Sequence, residues 1–214
     1  MAIQHKVTGA AQGKNTQELW RLISGIIVIA LSAYFLLGAA HFFTLDPAEL
    51  GKYDKTKWVL LLHITGGGIA LLTGPLQFWE RFRNKRWVLH RQVGKVYLLA
   101  ILISGSCAVY LSFTTAYAVG WSYAFTLQVW VSVWLTASFL AYRTAVKKKF
   151  KLHKEWMTRS YLVTVAFVIS ALLNKLPYIQ DKGSFAEVSP SLFWFGWAVP
   201  LYVYEIILSL QRKQ

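Results

Sequence analysis

Residues Lys57 to Trp79 read KWVLLLHITGGGIALLTGPLQFW, and the reading of this run decides the fold. It carries no charged side chain after Lys57. It also reaches the roughly 20 residues that a helix needs to cross the hydrocarbon of a bilayer. Five more apolar stretches of similar length surround it: Leu19–Phe43, Val93–Ala116, Tyr123–Ala145, Trp156–Leu176 and Ser191–Leu210. Lipid offers no partner to a bare backbone N–H or C=O, so each stretch is expected to be a helix. The sequence therefore predicts an all-α fold, a polytopic membrane helix bundle of about six transmembrane helices. It is read as one domain over residues 19–214, preceded by a polar tail over residues 1–18.

Composition agrees. Of 214 residues, 56% are hydrophobic and 15% charged, against about a quarter charged in a soluble domain. Ten Trp, 11 Tyr and 13 Phe supply the aromatic side chains that collect where hydrocarbon meets headgroups. The apolar runs leave no length for a soluble domain. The tail Met1–Glu18 is polar, and the apolar run after it exceeds a signal-peptide core of roughly 7–15 residues. It is read as a retained span. Cys107 is the single cysteine, so no intramolecular disulfide forms.

The net charge of +14 is placed in a way that excludes nucleic acid as the partner and sets orientation instead. Arg81, Arg83, Lys85, Arg86, Arg91 and Lys95 lie between spans two and three. Arg143, Lys147, Lys148, Lys149, Lys151, Lys154 and Arg159 lie between spans four and five. With Lys6, Lys14, Arg21, Arg212 and Lys213, they place 18 of the 23 basic residues on one side. The other side keeps Lys52, Lys55, Lys57, Lys175 and Lys182, offset by Asp46, Glu49, Asp54, Asp181 and Glu187. Short basic loops stay in the cytoplasm, so both termini are expected there, with anionic lipid heads against the basic loops.

Four histidines form two expected levels. His41 and His63 lie toward the outer face; His90 and His153 lie at the cytoplasmic starts of spans three and five. Neutral imidazoles at matching depth on different helices suit a haem iron or a metal ion. Gly66, Gly67, Ala70 and Gly74 follow His63 on one helix face, bare enough for a second helix or a flat cofactor. On the inner level, His90, Gly94 and Tyr97 share a face, as do His153, Met157, Ser160 and Thr164. Arg86, Arg91, Lys95 and Arg159 crowd the same depth. Glu205 lies within span six, where an acid needs a cation or a shared proton. Its partners by depth are Arg91, Lys95, Arg159 and the inner histidines. Gln128 and Asn174 are read as interhelical hydrogen bonders. No nucleophile elbow, phosphate loop or cysteine zinc set is present.

Three motifs together resemble one family: HITGGGIALLTGPLQFW from His63, HRQVGKVY from His90 and HKEWMTRSY from His153. In this order they are similar to the bacterial predicted membrane proteins of domain-of-unknown-function family 2306. The likeness covers spans two to six. It implies that His63, His90, Arg91, Gly94, Tyr97, His153, Trp156, Met157, Arg159 and Tyr161 belong to the family pattern, and that the seat is a bacterial inner membrane. One histidine per helix is also similar to dihaem b-type transmembrane cytochromes, although His90 and His153 sit shallower than membrane-embedded haem ligands.

Three readings of function follow. One is a redox protein holding haem b, or a copper or other transition-metal ion, on His41, His63, His90 and His153, with His63 and His41 as the sharpest ligand pair and a quinone-level donor. The second binds or transports a small ligand without a cofactor, with the histidines and Glu205 as proton-linked groups. The third is a partner subunit of a larger membrane complex, or an oligomer. A joint inner polar site of His90, His153, Arg159 and Glu205 is expected, with Arg91 and Tyr97 assigned to the same polar level.

Overall fold

The computed structural model describes the backbone of Ala2 to Arg212, and side chains from Leu19 onward except that of Arg21. Part of the charge asymmetry, on Lys6, Lys14, Arg21 and Lys213, therefore lies outside the described residues, as do the side chains of the polar tail. The described backbone is helical, with no strand.

Six principal helices follow one another: α1 (Ala2–Gly38), α2 (Lys57–Phe78), α3 (Trp87–Phe113), α4 (Trp121–Val146), α5 (Phe150–Asn174) and α6 (Phe185–Arg212). By length and composition, α2 to α6 are each able to cross a membrane, and Leu22–Gly38 of α1 adds a shorter apolar stretch. Large apolar side chains such as Ile26, Leu102, Phe139 and Ile206 point outward, as a lipid-facing surface requires.

Several boundaries move from their expected places. Helix α1 ends at Gly38, so His41 falls in a 3-10 turn over Ala40–Thr44. Helices α3 and α5 begin about two turns earlier than hydropathy marks, at Trp87 and Phe150. The basic residues in those turns are helical, with His90 and His153 each closing the first turn onto Arg86 O and Lys149 O at 2.9 Å. A hydropathy window loses charged first turns, whereas backbone bonding does not. Helix α2 continues through Pro75, and α6 through Pro190 and Pro200.

Helix α5 is the hub, packing against α4, α6, α2 and α1. Its buried positions include Ser160, Val163, Thr164, Ala166 and Ser170, all small enough to let neighbouring backbones come close. The α2–α3 interface is the most extensive. A Cβ on Gly66 would stand 2.8 Å from Ala100 O and 2.9 Å from Ser104 Cβ. Two ends result. The basic end carries the short helix Glu80–Lys85 and the α4–α5 turn. The opposite end carries the turns over residues 40–56, where Thr56 meets Thr115 at 3.3 Å.

Candidate functional site

A cavity of about 490 Å³ lies between the helices in the half of the bundle away from the basic end. All six helices contribute to its wall: Phe35 and Leu36 of α1, Leu60, His63 and Gly67 of α2, Ala108 and Leu111 of α3, Trp130 and Trp134 of α4, Thr164 and Phe167 of α5, and Ser189 and Phe193 of α6. Trp130 and Phe167 stack at 3.9 Å between centroids, so much of the wall is flat aromatic surface. The polar groups are few. Ser189 is 1% exposed, and its Oγ has no hydrogen-bond partner among the described residues. Lys175 and Tyr34 also line the cavity, with Nζ donating to the phenol oxygen at 3.0 Å.

His63 is held from behind. Its Nδ1 lies 3.0 Å from the backbone oxygen of Ser104 on α3, and the Ser104 hydroxyl donates to His63 O at 2.8 Å. Phe167 meets the ring edge-on at 5.9 Å. The imidazole is thereby fixed in orientation while its ring forms part of the cavity wall.

His41 is elsewhere. It is exposed, its Nδ1 is 2.8 Å from Gly38 O, and it takes no part in the cavity wall. The bare face after His63 is also filled differently from a flat cofactor's needs. Gly66 is closed by the α3 backbone, and a Cβ on Gly74 would enter the ring of Tyr161, whose hydroxyl donates to Leu71 O at 3.0 Å. Bis-histidine ligation of a haem, the arrangement expected for His41 and His63, requires two imidazoles facing each other across the ring. The cavity presents one, so its residues do not fit a bis-histidine haem. Among the described residues, no three His, Cys, Asp or Glu side chains are grouped as metal ligands.

Beneath the cavity runs a buried hydroxyl cluster. Tyr97 OH lies 2.9 Å from Ser160 Oγ and 3.3 Å from Thr164 Oγ1; Ser138 Oγ lies 2.8 Å from Ser160 Oγ; Trp134 Nε1 donates to Thr164 Oγ1 at 2.8 Å. Tyr97 and Ser160 are fully buried. The faces formed by Tyr97 on α3 and by Ser160 and Thr164 on α5 thus meet each other.

At the basic end the structure divides the expected polar set. Arg159 forms two hydrogen bonds to Glu205, Nε to Oε1 at 2.6 Å and Nη2 to Oε2 at 3.0 Å. Its guanidinium also covers Trp156 at 4.5 Å and Tyr204 at 5.4 Å. Arg91 stacks on Trp87 at 5.7 Å instead. His153 Nδ1 is bonded to Ala141 O at 2.9 Å. His90 meets Phe82 edge-on, with its Nδ1 buried and unpartnered among the described residues. Sequence reading missed Glu155, 6% exposed, which receives Arg212 Nη2 at 2.6 Å and stands 3.9 Å from Arg159. The i, i+4 spacing to Arg159 was the available signal.

The model of a family described as "Predicted membrane protein (DUF2306)" matches residues 60–208, from α2 through most of α6. No curated protein and no solved structure matches the chain.

Proposed function

The chain belongs to the DUF2306 family of predicted membrane proteins, and from that premise we propose that it binds a small lipophilic molecule in the cavity between its helices. The cavity itself carries this reading. About 490 Å³ is within the range of roughly 300–1,000 Å³ typical of small-molecule sites. Its wall is apolar and aromatic with a few convergent polar groups, the pattern such sites share. The buried Ser189 hydroxyl, unpartnered among the described residues, supports it, because a buried polar group left alone costs about 1–3 kcal/mol. The redox reading through haem b or copper draws no support from the positions of His41 and His63.

The proposed seat is a bacterial inner membrane. The basic loops around Arg81–Arg91 and Lys147–Lys154 face the cytoplasm and its anionic lipid heads. The cavity then lies in the outer half, and its ligand arrives from the bilayer.

Bromobiphenyl, a lipophilic quencher of tryptophan emission, tests this on the detergent-purified full chain. Trp130 and Trp134 line the cavity. Quenching is expected to saturate at one molecule per chain and to weaken at least severalfold in Ala108→Phe, which fills the cavity from α3. Quenching that rises without saturation, equally in both proteins, would remove the reading.

A further inference from the structure

The hydrogen bonds behind His63 determine which ligand chemistry its front accepts; this step rests on the cavity reading above. Ser104 has one hydroxyl proton, and it goes to His63 O at 2.8 Å. Ser104 O, 3.0 Å from His63 Nδ1, is a carbonyl oxygen with no proton to give. The Ser104 hydroxyl is also 3.0 Å from Nδ1, but its proton is already placed. Nδ1 therefore carries the ring proton and donates it to Ser104. A neutral imidazole has one N–H, so Nε2 holds a lone pair and accepts. A charged imidazolium in this apolar wall would lack a counter-ion: the cavity lining contains no Asp or Glu. Among the described residues, no group hydrogen-bonds to Nε2.

The cavity thus offers an acceptor at Nε2, a free hydroxyl at Ser189, and flat walls at Trp130 and Phe167. Against Nε2 itself, a ligand carbonyl or ether would set an acceptor against an acceptor, whereas Ser189 can serve either kind of ligand oxygen. A ligand ending in a hydroxyl satisfies Nε2, and an aromatic ring matches the stacked walls. We propose that the ligand is a lipid-soluble phenol or hydroquinone, an aromatic ring with an apolar tail, whose hydroxyl donates to Nε2 of His63. The Ser104 pair is what makes the site selective, because it fixes the tautomer. Ser104 is a positioning residue, and His63 is the one that touches the ligand.

The test compares two probes that differ in one proton. Para-nonylphenol and para-nonylanisole share ring and tail, but only the phenol donates. Each is titrated against bromobiphenyl on the purified full chain, with tryptophan emission as the readout. The phenol is expected to compete about tenfold more strongly, the ratio that one net hydrogen bond gives. That preference is expected to vanish in His63→Leu. Should His63→Leu fail to fold, the wild-type ratio decides alone. Equal competition by both probes, or preference for the ether, overturns the donor assignment and leaves the cavity reading standing. Competition by neither, where bromobiphenyl itself shows no saturable site, overturns both.

Discussion

Arg159 on α5 grips Glu205 on α6 through two parallel N–H···O contacts of 2.6 and 3.0 Å, so the acid within the last span has a matched cation. Bidentate pairs of this kind are the stronger class of charge-assisted hydrogen bond. Removing Arg159 takes away the cation on Glu205, whereas removing Glu205 leaves Arg159 the more distant Glu155 at 3.9 Å. Glu205→Gln and Arg159→Gln are each expected to lower the melting temperature in detergent, with a coupling energy on the order of 1–2 kcal/mol in the double-mutant cycle. His153 shares no partner with Glu205, so Glu205→Gln and His153→Ala are expected to add within about 0.5 kcal/mol. Additive behaviour of the Arg159 and Glu205 changes would contradict the pairing.

Gly66→Ala tests the tightest helix contact. The added methyl meets Ala100 O at 2.8 Å, and a backbone oxygen does not swing aside as a flexible side chain does. Separating α2 from α3 here is expected to destabilise the protein by about 1–3 kcal/mol. The same shift lengthens the His63–Ser104 contacts one turn away. A thermal unfolding curve that overlays wild type would show that the helices are not packed this closely.

The hydroxyl cluster predicts an order of effects. In Thr164→Val, Trp134 Nε1 loses the partner it has at 2.8 Å and becomes a buried, unsatisfied donor. In Tyr97→Phe, Ser160 keeps Ser138 and Thr164 keeps Trp134. Thr164→Val is therefore expected to cost about 1–3 kcal/mol and Tyr97→Phe closer to 1 kcal/mol. Equal losses, or the reverse order, would mean that the cluster bonds differently.

Orientation is open to labelling. Asn84 is exposed in the short helix Glu80–Lys85 at the basic end, and Cys107 is the single native cysteine. In a Cys107→Ser, Asn84→Cys protein, an impermeant thiol reagent is expected to label broken cells and to spare intact ones. Labelling of intact cells would invert the topology.

The membrane class and five long apolar helices were legible because lipid forces long, uncharged helices, and hydropathy reads length and charge directly; the first of the six expected runs is a shorter apolar stretch, Leu22–Gly38. That Glu205 needed a cation was legible too, and Arg159 was among the four kinds of partner its depth allowed. Glu155 was not, since its run from Lys151 to Lys154 looks like a solvated loop until α5 is seen to begin at Phe150. The pairing of His41 with His63 assumed that span one stays helical to Phe43. The helix ends at Gly38 instead, and the turn that follows leaves His41 exposed. The cavity was invisible for a different reason. Membrane helices that are apolar on all sides carry little record of which face turns inward, and this cavity depends on how six of them rotate against one another. The glycines after His63 announced close packing without saying whether a helix, a ring or a ligand would fill the space; Ala100, Ser104 and Tyr161 fill most of it, and Gly67 and Gly68 face the cavity.

Whether the cavity beside His63 holds a small lipophile is decided by mass spectrometry of what the purified protein carries. Wild type and Ala108→Phe are purified side by side from the same membranes, extracted with organic solvent and compared. One small lipophile, near one per chain, is expected to accompany wild type and to be lost from Ala108→Phe, while bulk phospholipid stays equal in the two. Identical extracts from both proteins, with nothing retained beyond bulk lipid, would contradict it.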